Sequence, residues 1–203
     1  MQTEALLNAF ERYVERHELF SHEDKILLTV SGGVDSMVML SIFVRLGYNV
    51  GVAHCNFCLR GEESDKDTVM VERECEKLGI KCHSKRFDTT GEMERTGDSM
   101  EMTARRLRYE WFYELCNEEG YNIIAVAHHA NDSIETFFIN LLRGTGLRGL
   151  TGINRQYGKV VRPLLYATRK DILEYALHNH IPYREDSSNR STKYLRNKIR
   201  LGL

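Results

Sequence analysis

The chain has 203 residues, 42% hydrophobic and 28% charged, with a net charge of −1; this excludes a disordered chain and fits one globular domain with a short appendage. No charge-free run reaches the ~18 residues of a membrane-spanning helix, the longest being Leu46 to Leu59. The small net charge hides a split: residues 1–142 hold 15 basic and 25 acidic side chains, residues 143–203 hold 13 and 4, so the last third reads as a footprint for a phosphate backbone or as a solvated basic surface.

In chain order, Thr3 to Glu18 sets Leu6, Leu7, Phe10, Tyr13 and Val14 on one face, a helix at 3.6 periodicity. It is acidic and lacks the basic start and apolar core of a secretory leader. Lys25 to Val30 is a short apolar run suited to a buried strand. Ser31-Gly32-Gly33 breaks it, and Met37 to Leu46 reads as a helix packed on a sheet. Tyr48 to Ala53 is strand-like, Ser64 to Leu78 an acidic amphipathic helix closed by Gly79, and Ile80 to Phe87 a third strand. Ser99 to Cys116 is a helix with Ser99 as N-cap. Asn122 to Ala127 is a fourth strand and Asp132 to Leu142 a helix. Gly144 to Gly152 is a glycine-rich ordered loop, Thr168 to His178 a helix, and Tyr194 to Arg200 the start of another. Strands alternating with helices predict an α/β fold, a doubly wound parallel sheet flanked by helices. Ligands of such sheets sit beyond the carboxyl ends of the strands, which points to the residues after Val30, Ala53 and Ala127. Five cysteines, an odd count in a chain too large to need disulfides, fit a reducing cytosol.

The strongest local signal is Ser31-Gly32-Gly33-Val34-Asp35-Ser36 at a strand–helix junction. Two glycines let the backbone approach an anion, and the helix N-terminus adds partial positive charge. Asp35 would repel a bare phosphate and makes sense as a Mg²⁺ partner. The string is not a Walker A loop, whose lysine is absent. Asp132 and Glu135, one helical turn apart, share one face at a strand end. They suit a cationic amine, or simply the positive end of a helix dipole. Arg105 and Arg108 have the same spacing; an arginine fork there can hold a carboxylate or phosphate, or lie on a solvated face. His128 and His129 are adjacent in extended chain, so at most one of them faces a ligand.

SGGVDS resembles the PP-loop of the N-type ATP pyrophosphatases, which adenylate a carbonyl oxygen, release pyrophosphate and let a nucleophile displace AMP. Further strings are similar to the tRNA(Ile)-lysidine synthetase branch: His54-Cys-Asn56-Phe-Cys-Leu59-Arg60-Gly61-Glu62-Glu63-Ser64-Asp65, the stretch Ser99 to Tyr109 containing Glu101, Ala104, Arg105 and Arg108, Ala127-His128-His129 followed by Asp132, Glu135 and Thr136, and Leu142-Arg143-Gly144 followed by Gly146, Gly149 and Leu150. Arg162-Pro163-Leu164-Leu165, Glu185-Asp186 with Ser188-Asn189, and Tyr194 to Arg200 complete the set. The resemblance covers Lys25 to Arg200 in order.

It implies an adenine nucleotide alpha hydrolase-like fold with ATP and Mg²⁺ as cofactors, free L-lysine and a CAU-anticodon tRNA(Ile) as partners, a homodimer, no membrane, and a cytoplasmic location. On this resemblance Ser31, Gly32, Gly33, Val34, Asp35, Ser36, Ala53 and His128 bind ATP, with Asp35 on the metal. Arg105, Asp132 and Glu135 bind lysine, with Asp35, Asp132 and Arg105 carrying the chemistry. Arg143 and Arg196 contact triphosphate or tRNA. The expected organisation is one PP-loop catalytic domain over residues 1–203, with a core of about 22–165 and a basic helical extension over 166–203. The chain stops in what reads as an early helical turn, as a catalytic fragment would, without the family's further tRNA-binding domains.

Two other readings follow from the same residues. Cys55 and Cys58 form a CxxC that a PP-loop tRNA thiolase could use, although no second CxxC exists to complete a cluster or zinc site. A non-catalytic nucleotide- or RNA-binding module would satisfy the charge split but would have no use for Asp35.

Overall fold

The computed structural model describes residues 2–144 and 151–184. Seven helices and six strands follow one another as α1 (Gln2–Arg16), β1 (Lys25–Thr29), α2 (Val34–Arg45), β2 (Asn49–Asn56), α3 (Glu62–Leu78), β3 (Cys82–Arg86), α4 (Thr89–Thr96), α5 (Met100–Glu119), β4 (Ile123–Ala125), α6 (Ala130–Leu142), β5 (Gln156–Tyr157), β6 (Val160–Val161) and α7 (Arg169–His178). The sheet runs in the order β3-β2-β1-β4-β6-β5. Every pair is parallel except the hairpin β5–β6. The expected doubly wound sheet is therefore present, with one antiparallel strand at its edge.

Alternation along the strands divides the core. Ile26, Leu28, Val52, Ala125 and Val161 face one side, where they pack with α1, α2 and α7 through Phe10, Phe43, Ile172 and Tyr175. Leu27, Ala53, Ile124 and Val160 face the other, against Trp111, Phe112 and Leu115 of α5. A two-residue side-chain period forces this division, and burial of both faces explains why β1 is apolar throughout. Helix α2 is wrapped by protein and is correspondingly apolar at Val34, Met37, Val38, Met39, Leu40, Ile42 and Phe43. Helices α1 and α7 lie outside the 22–165 core bounds read from sequence, yet both are built into the larger core cluster.

Several boundaries differ from the sequence reading. Helix α2 begins at Val34, so Asp35 and Ser36 belong to its first turn. Strand β2 runs past Ala53 to Asn56, because it gains a partner on each side, β1 up to Ala53 and β3 as far as Asn56. Helix α4 and the β5–β6 hairpin were not anticipated; the first is capped by the Asp88 side chain on Gly91 N and ends at Gly97, at φ +74°. The expected cap of Ser99 on α5 is present, with its hydroxyl accepting from Met102 N at 3.3 Å. Residues 145–150 of the expected Gly144 to Gly152 loop, and the helix start at Tyr194, lie outside the described residues.

The strand order reverses between β1 and β4. That switch point opens a crevice at the carboxyl edge of the sheet, entered by the loop after β1 on one side and the chain after β4 on the other.

Candidate active site

The loop from Ser31 to Ser36 leaves β1 at Val30, whose N–H donates to Ala53 O at 3.0 Å. Gly32 has φ +92°, the left-handed region that disfavours a side chain, and a Cβ there would lie 3.2 Å from Met70 Cε. Ser36 Oγ donates to Gly33 O at 2.9 Å, accepts from Ser31 N at 3.1 Å and lies 3.2 Å from Ser31 Oγ. The two serines thus brace the turn. Gly33, at the N-cap, brings no side chain to the first N–H groups of α2, which leaves that helix end for an anion. Val34 is buried, which leaves only its backbone to face the loop's outer side. Ala53 is also buried and inside β2, its carbonyl already taken by Val30.

Asp35 is held by Arg169, the first residue of α7, through a two-oxygen ion pair. Behind it sits His129, 1% exposed, with Nε2 at 3.8 Å from Asp35 Oδ1 and 3.4 Å from Asp132 Oδ2. The His129 side chain therefore lies beside the phosphate loop. His128, named in the sequence reading, is half-buried and donates its backbone N–H to Val126 O at 2.9 Å.

Helix α6 inverts the usual pattern. Its buried side chains are the acids Asp132 and Glu135, while Ile134, Leu141 and Leu142 are exposed. The Asp132 carboxylate accepts the His129 N–H at 3.0 Å, a local reason for its position. Burying two carboxylates three residues apart is costly unless cations or donors answer them, and both acids have partners in the fold.

The His54 to Asp65 string is a brace for the neighbouring wall. His54 is buried, with Nδ1 2.8 Å from Val30 O and Nε2 3.1 Å from Thr68 Oγ1. A carbonyl accepts only, so Nδ1 carries the proton and Nε2 accepts from the Thr68 hydroxyl. Burial holds the His54 pKa below the ordinary histidine value. Asn56 Nδ2 donates to Asp65 Oδ1 at 2.9 Å and Thr68 Oγ1 at 3.1 Å, and Asn56 Oδ1 accepts from Cys58 N. Sequence reasoning missed Asp67, which is buried and receives Arg60 Nη2 at 2.8 Å and Arg184 Nε at 2.6 Å. Arg184 N also donates to Gly32 O at 3.0 Å, stapling residues 181–184 to the phosphate loop.

Arg105 is exposed on α5, its guanidinium 5.0 Å from the Tyr109 ring centroid. Arg143 caps the far end of α6, about 16 Å along the helix from Asp132 at 1.5 Å per residue; the structure does not bring it to the loop. Arg196 lies outside the described residues. Cys55 is half-buried and Cys58 exposed, and burial pushes the Cys55 thiol up to about 12. Among the described residues no group of three His, Cys, Asp or Glu side chains converges as a metal site. Arg169 and His129 were legible only in part: one follows the helix cap Thr168, the other sits in a recognised motif, but their convergence on Asp35 is tertiary.

The family model of the PP-loop domain matches residues 3–203. Among curated proteins the chain is similar to the tRNA(Ile)-lysidine synthase of Bacteroides thetaiotaomicron, 46% identical over 192 residues, covering 95% of this chain and 45% of that protein. It is 44% identical to the tRNA(Ile)-lysidine synthase of Chlorobaculum tepidum over 195 residues, 94% of this chain and 59% of that protein. The chain spans about half the length of the curated relatives it matches. Among solved structures, the U34-tRNA thiolase NcsA from Methanococcus maripaludis with its [4Fe-4S] cluster matches with a TM-score of 0.75 at 18% identity, over 97% of this chain and 71% of that one. The NH3-dependent NAD synthetase from Campylobacter jejuni matches at 0.57 and 16% identity, over 89% of this chain and 72% of that one. At these identities the two structures share the fold.

Proposed function

The chain belongs to the PP-loop domain family, and from that premise we propose that it joins free lysine to C2 of the wobble cytidine in a CAU-anticodon tRNA(Ile), at the expense of ATP. The observation that carries this reading is the buried acid pair Asp132 and Glu135 at the switch point, across from the phosphate loop. In this reading the two carboxylates receive a cationic co-substrate. The relatives named tRNA(Ile)-lysidine synthase, 40–46% identical over nearly the whole chain, support reading that cation as lysine.

In this proposal the C2 carbonyl oxygen of the cytidine attacks the α-phosphorus of ATP. An O–P bond forms, the bond to the bridging oxygen breaks, and pyrophosphate leaves with its electron pair. The lysine amine then attacks C2, its surplus proton is lost, and AMP departs with the former carbonyl oxygen. The first step matters because an amide-like carbonyl is a poor electrophile until its oxygen becomes part of a leaving group. The loop N–H groups and the α2 N-terminus bear the phosphates. Asp132 and Glu135 hold the ammonium end of lysine, and proximity replaces a bimolecular encounter. Asp35, with phosphate oxygens, would hold Mg²⁺ in the mixed ligand set this ion prefers, and the ion would there neutralise charge on the leaving pyrophosphate.

The same proposal places the reaction in the cytoplasm, with a homodimer as the assembly. No described helix is long and apolar enough to cross a membrane. The thiolase reading loses ground at Cys55, whose thiol is held protonated by burial and so is a weak nucleophile. The deciding experiment incubates the chain with ATP, Mg²⁺, labelled lysine and a CAU-anticodon tRNA(Ile) transcript. Lysine incorporation matched by AMP supports the proposal; sulfur incorporation without lysine would replace it with thiolation.

A further inference from the structure

The reaction above uses none of the five cysteines, and two of them meet where α3 turns into β3. Gly79 closes α3 at φ +68°, and Ile80 N donates back to Cys75 O at 2.9 Å. That turn lays the edge strand β3 against the helix it has just left. Contacts then run along the two elements in antiparallel order. Cys82 meets Cys75 thiol to thiol, the Ser84 hydroxyl donates to Glu72, and Arg86 Nη1 donates to Asp65. Strand residues two apart share a face, so Cys82 belongs to the row of Ser84 and Arg86 and points at α3. Its neighbours His83 and Lys85 point the other way, to Tyr121 and Glu114.

The two thiols differ in what can reach them. Cys75 is 0% exposed, inside the larger core cluster, whereas Cys82 is half-buried at its margin on the outermost strand. The Cys75 S–H donates to the Cys82 sulfur. That hydrogen bond holds the Cys82 pKa below the ordinary cysteine value, against burial and the Glu72 carboxylate, and keeps the proton on Cys75. Cys116 is the contrast: it is buried in the other cluster, and burial raises its pKa. A reachable sulfur with thiolate character beside a buried thiol is a pairing in which one attacks an oxidant and the other resolves the product.

We propose that Cys75 and Cys82 are an oxidation site that closes to an intramolecular disulfide when hydrogen peroxide reaches Cys82. The Cys82 sulfur attacks one peroxide oxygen and the O–O bond breaks. The other oxygen takes a proton and leaves as water, and Cys82 becomes a sulfenic acid. The Cys75 sulfur then attacks the Cys82 sulfur. An S–S bond forms, the S–O bond breaks, and the Cys75 proton departs with that oxygen as a second water. The two thiols supply the two electrons that reduce the peroxide, and a dithiol reductant reverses the closure by exchange. Closure fastens the last turn of α3 to the edge of the sheet. The same helix sets Asp67 on Arg60 and Arg184, and Met70 beside Gly32 of the phosphate loop. The oxidation site is independent of the lysine-joining reading.

The test treats the full chain, as the double variant Cys55→Ser and Cys58→Ser, with hydrogen peroxide in small excess. That background removes both cysteines of the CxxC. Two thiols are expected to disappear with a mass decrease of about 2 Da, and dithiothreitol restores both. Trypsin cuts after Arg73, Lys77, Lys81 and Lys85, so the expected product is residues 74–77 joined to residues 82–85, parted by reduction. Adding Cys75→Ser should leave Cys82 as a sulfenic acid that dimedone traps. Adding Cys82→Ser should leave Cys75 unoxidised, because no oxidant reaches it. Cys82 lies at the sheet edge, so its variant carries the test if Cys75→Ser fails to fold. The proposal is overturned if both thiols survive, if Cys82 proceeds to sulfinic acid while Cys75 stays reduced, or if Cys75 is oxidised as fast without Cys82 as with it.

Discussion

Arg169 at the start of α7 forms a two-oxygen ion pair with Asp35 of the phosphate loop, across 134 residues of sequence. The pair ties the last described helix to the first turn of α2, and it occupies the carboxylate proposed to meet Mg²⁺. Arg169 and the metal therefore compete for one group. Asp35→Ala is expected to abolish AMP release while moving the melting temperature little, because a half-exposed pair contributes about 0–1 kcal/mol. Arg169→Met is expected to lower, by several-fold, the Mg²⁺ concentration giving half-maximal AMP release. A magnesium titration of both variants checks this, and full activity of Asp35→Ala would sink the site assignment.

The two acids of α6 have separable duties. Asp132 accepts the His129 N–H, so Asp132→Ala loses a helix-terminal bond, costing about 1 kcal/mol, as well as the lysine contact. Glu135 does not cap the helix. Glu135→Gln is expected to raise the lysine KM about 10- to 100-fold, the range for a hydrogen bond to a charged group, with the KM for ATP unchanged. Steady-state kinetics with each substrate varied in turn distinguishes this from a general loss of structure.

Stability should fall on mild acidification, partly through His54. Burial lowers its folded-state pKa, so between the folded value and the ordinary histidine value near 6.5 the unfolded chain binds the extra proton. The stabilisation is therefore fully present above about pH 6.5 and is lost as pH drops toward the folded pKa, at up to about 1.4 kcal/mol per pH unit for one group. Melting curves between pH 7.5 and 5.5 should show this slope, and His54→Gln should flatten it while lowering stability at pH 7.5. An equally steep slope in the variant would assign the effect to other groups.

Gly51 is required by packing. A Cβ there would lie 1.9 Å from the Tyr121 hydroxyl, and Tyr121 is itself buried and within 3.1 Å of His83 Nε2. Gly51→Ala must displace that ring or part β2 from its layer, at a cost of about 1–3 kcal/mol. Chemical denaturation should give a lower midpoint, with activity per folded molecule retained because the contact is on the α5 side of the sheet, remote from the loop.

The fold was legible where one layer of information sufficed. The apolar runs at Lys25 to Val30 and Asn122 to Ala127, and the helices between them, required only local periodicity and turn residues. Element ends were less legible. β2 continues to Asn56 because β3 offers it a ladder, and no feature within Tyr48 to Ala53 announces that partner. The β5–β6 hairpin has two-residue strands, too short to show a period. In the site, the phosphate loop and the acid pair were visible as strings, whereas Asp67 with Arg60 and Arg184, Arg169 on Asp35, and Arg162 beside Tyr109 were not.

By itself the sequence determined the chemistry available: a lysine-free phosphate loop at a strand–helix junction, two acids on one helical turn, and a layered α/β order. Those features depend on neighbours within a few residues, where backbone geometry leaves little choice. Only the tertiary structure decided which charges meet. It brought His129 beside Asp35, buried the acids of α6 while leaving its leucines outside, and set Arg162 beside Tyr109. Ion pairs and burial depend on distances between elements far apart in the chain, and those distances are set by how the whole core packs rather than by any local pattern.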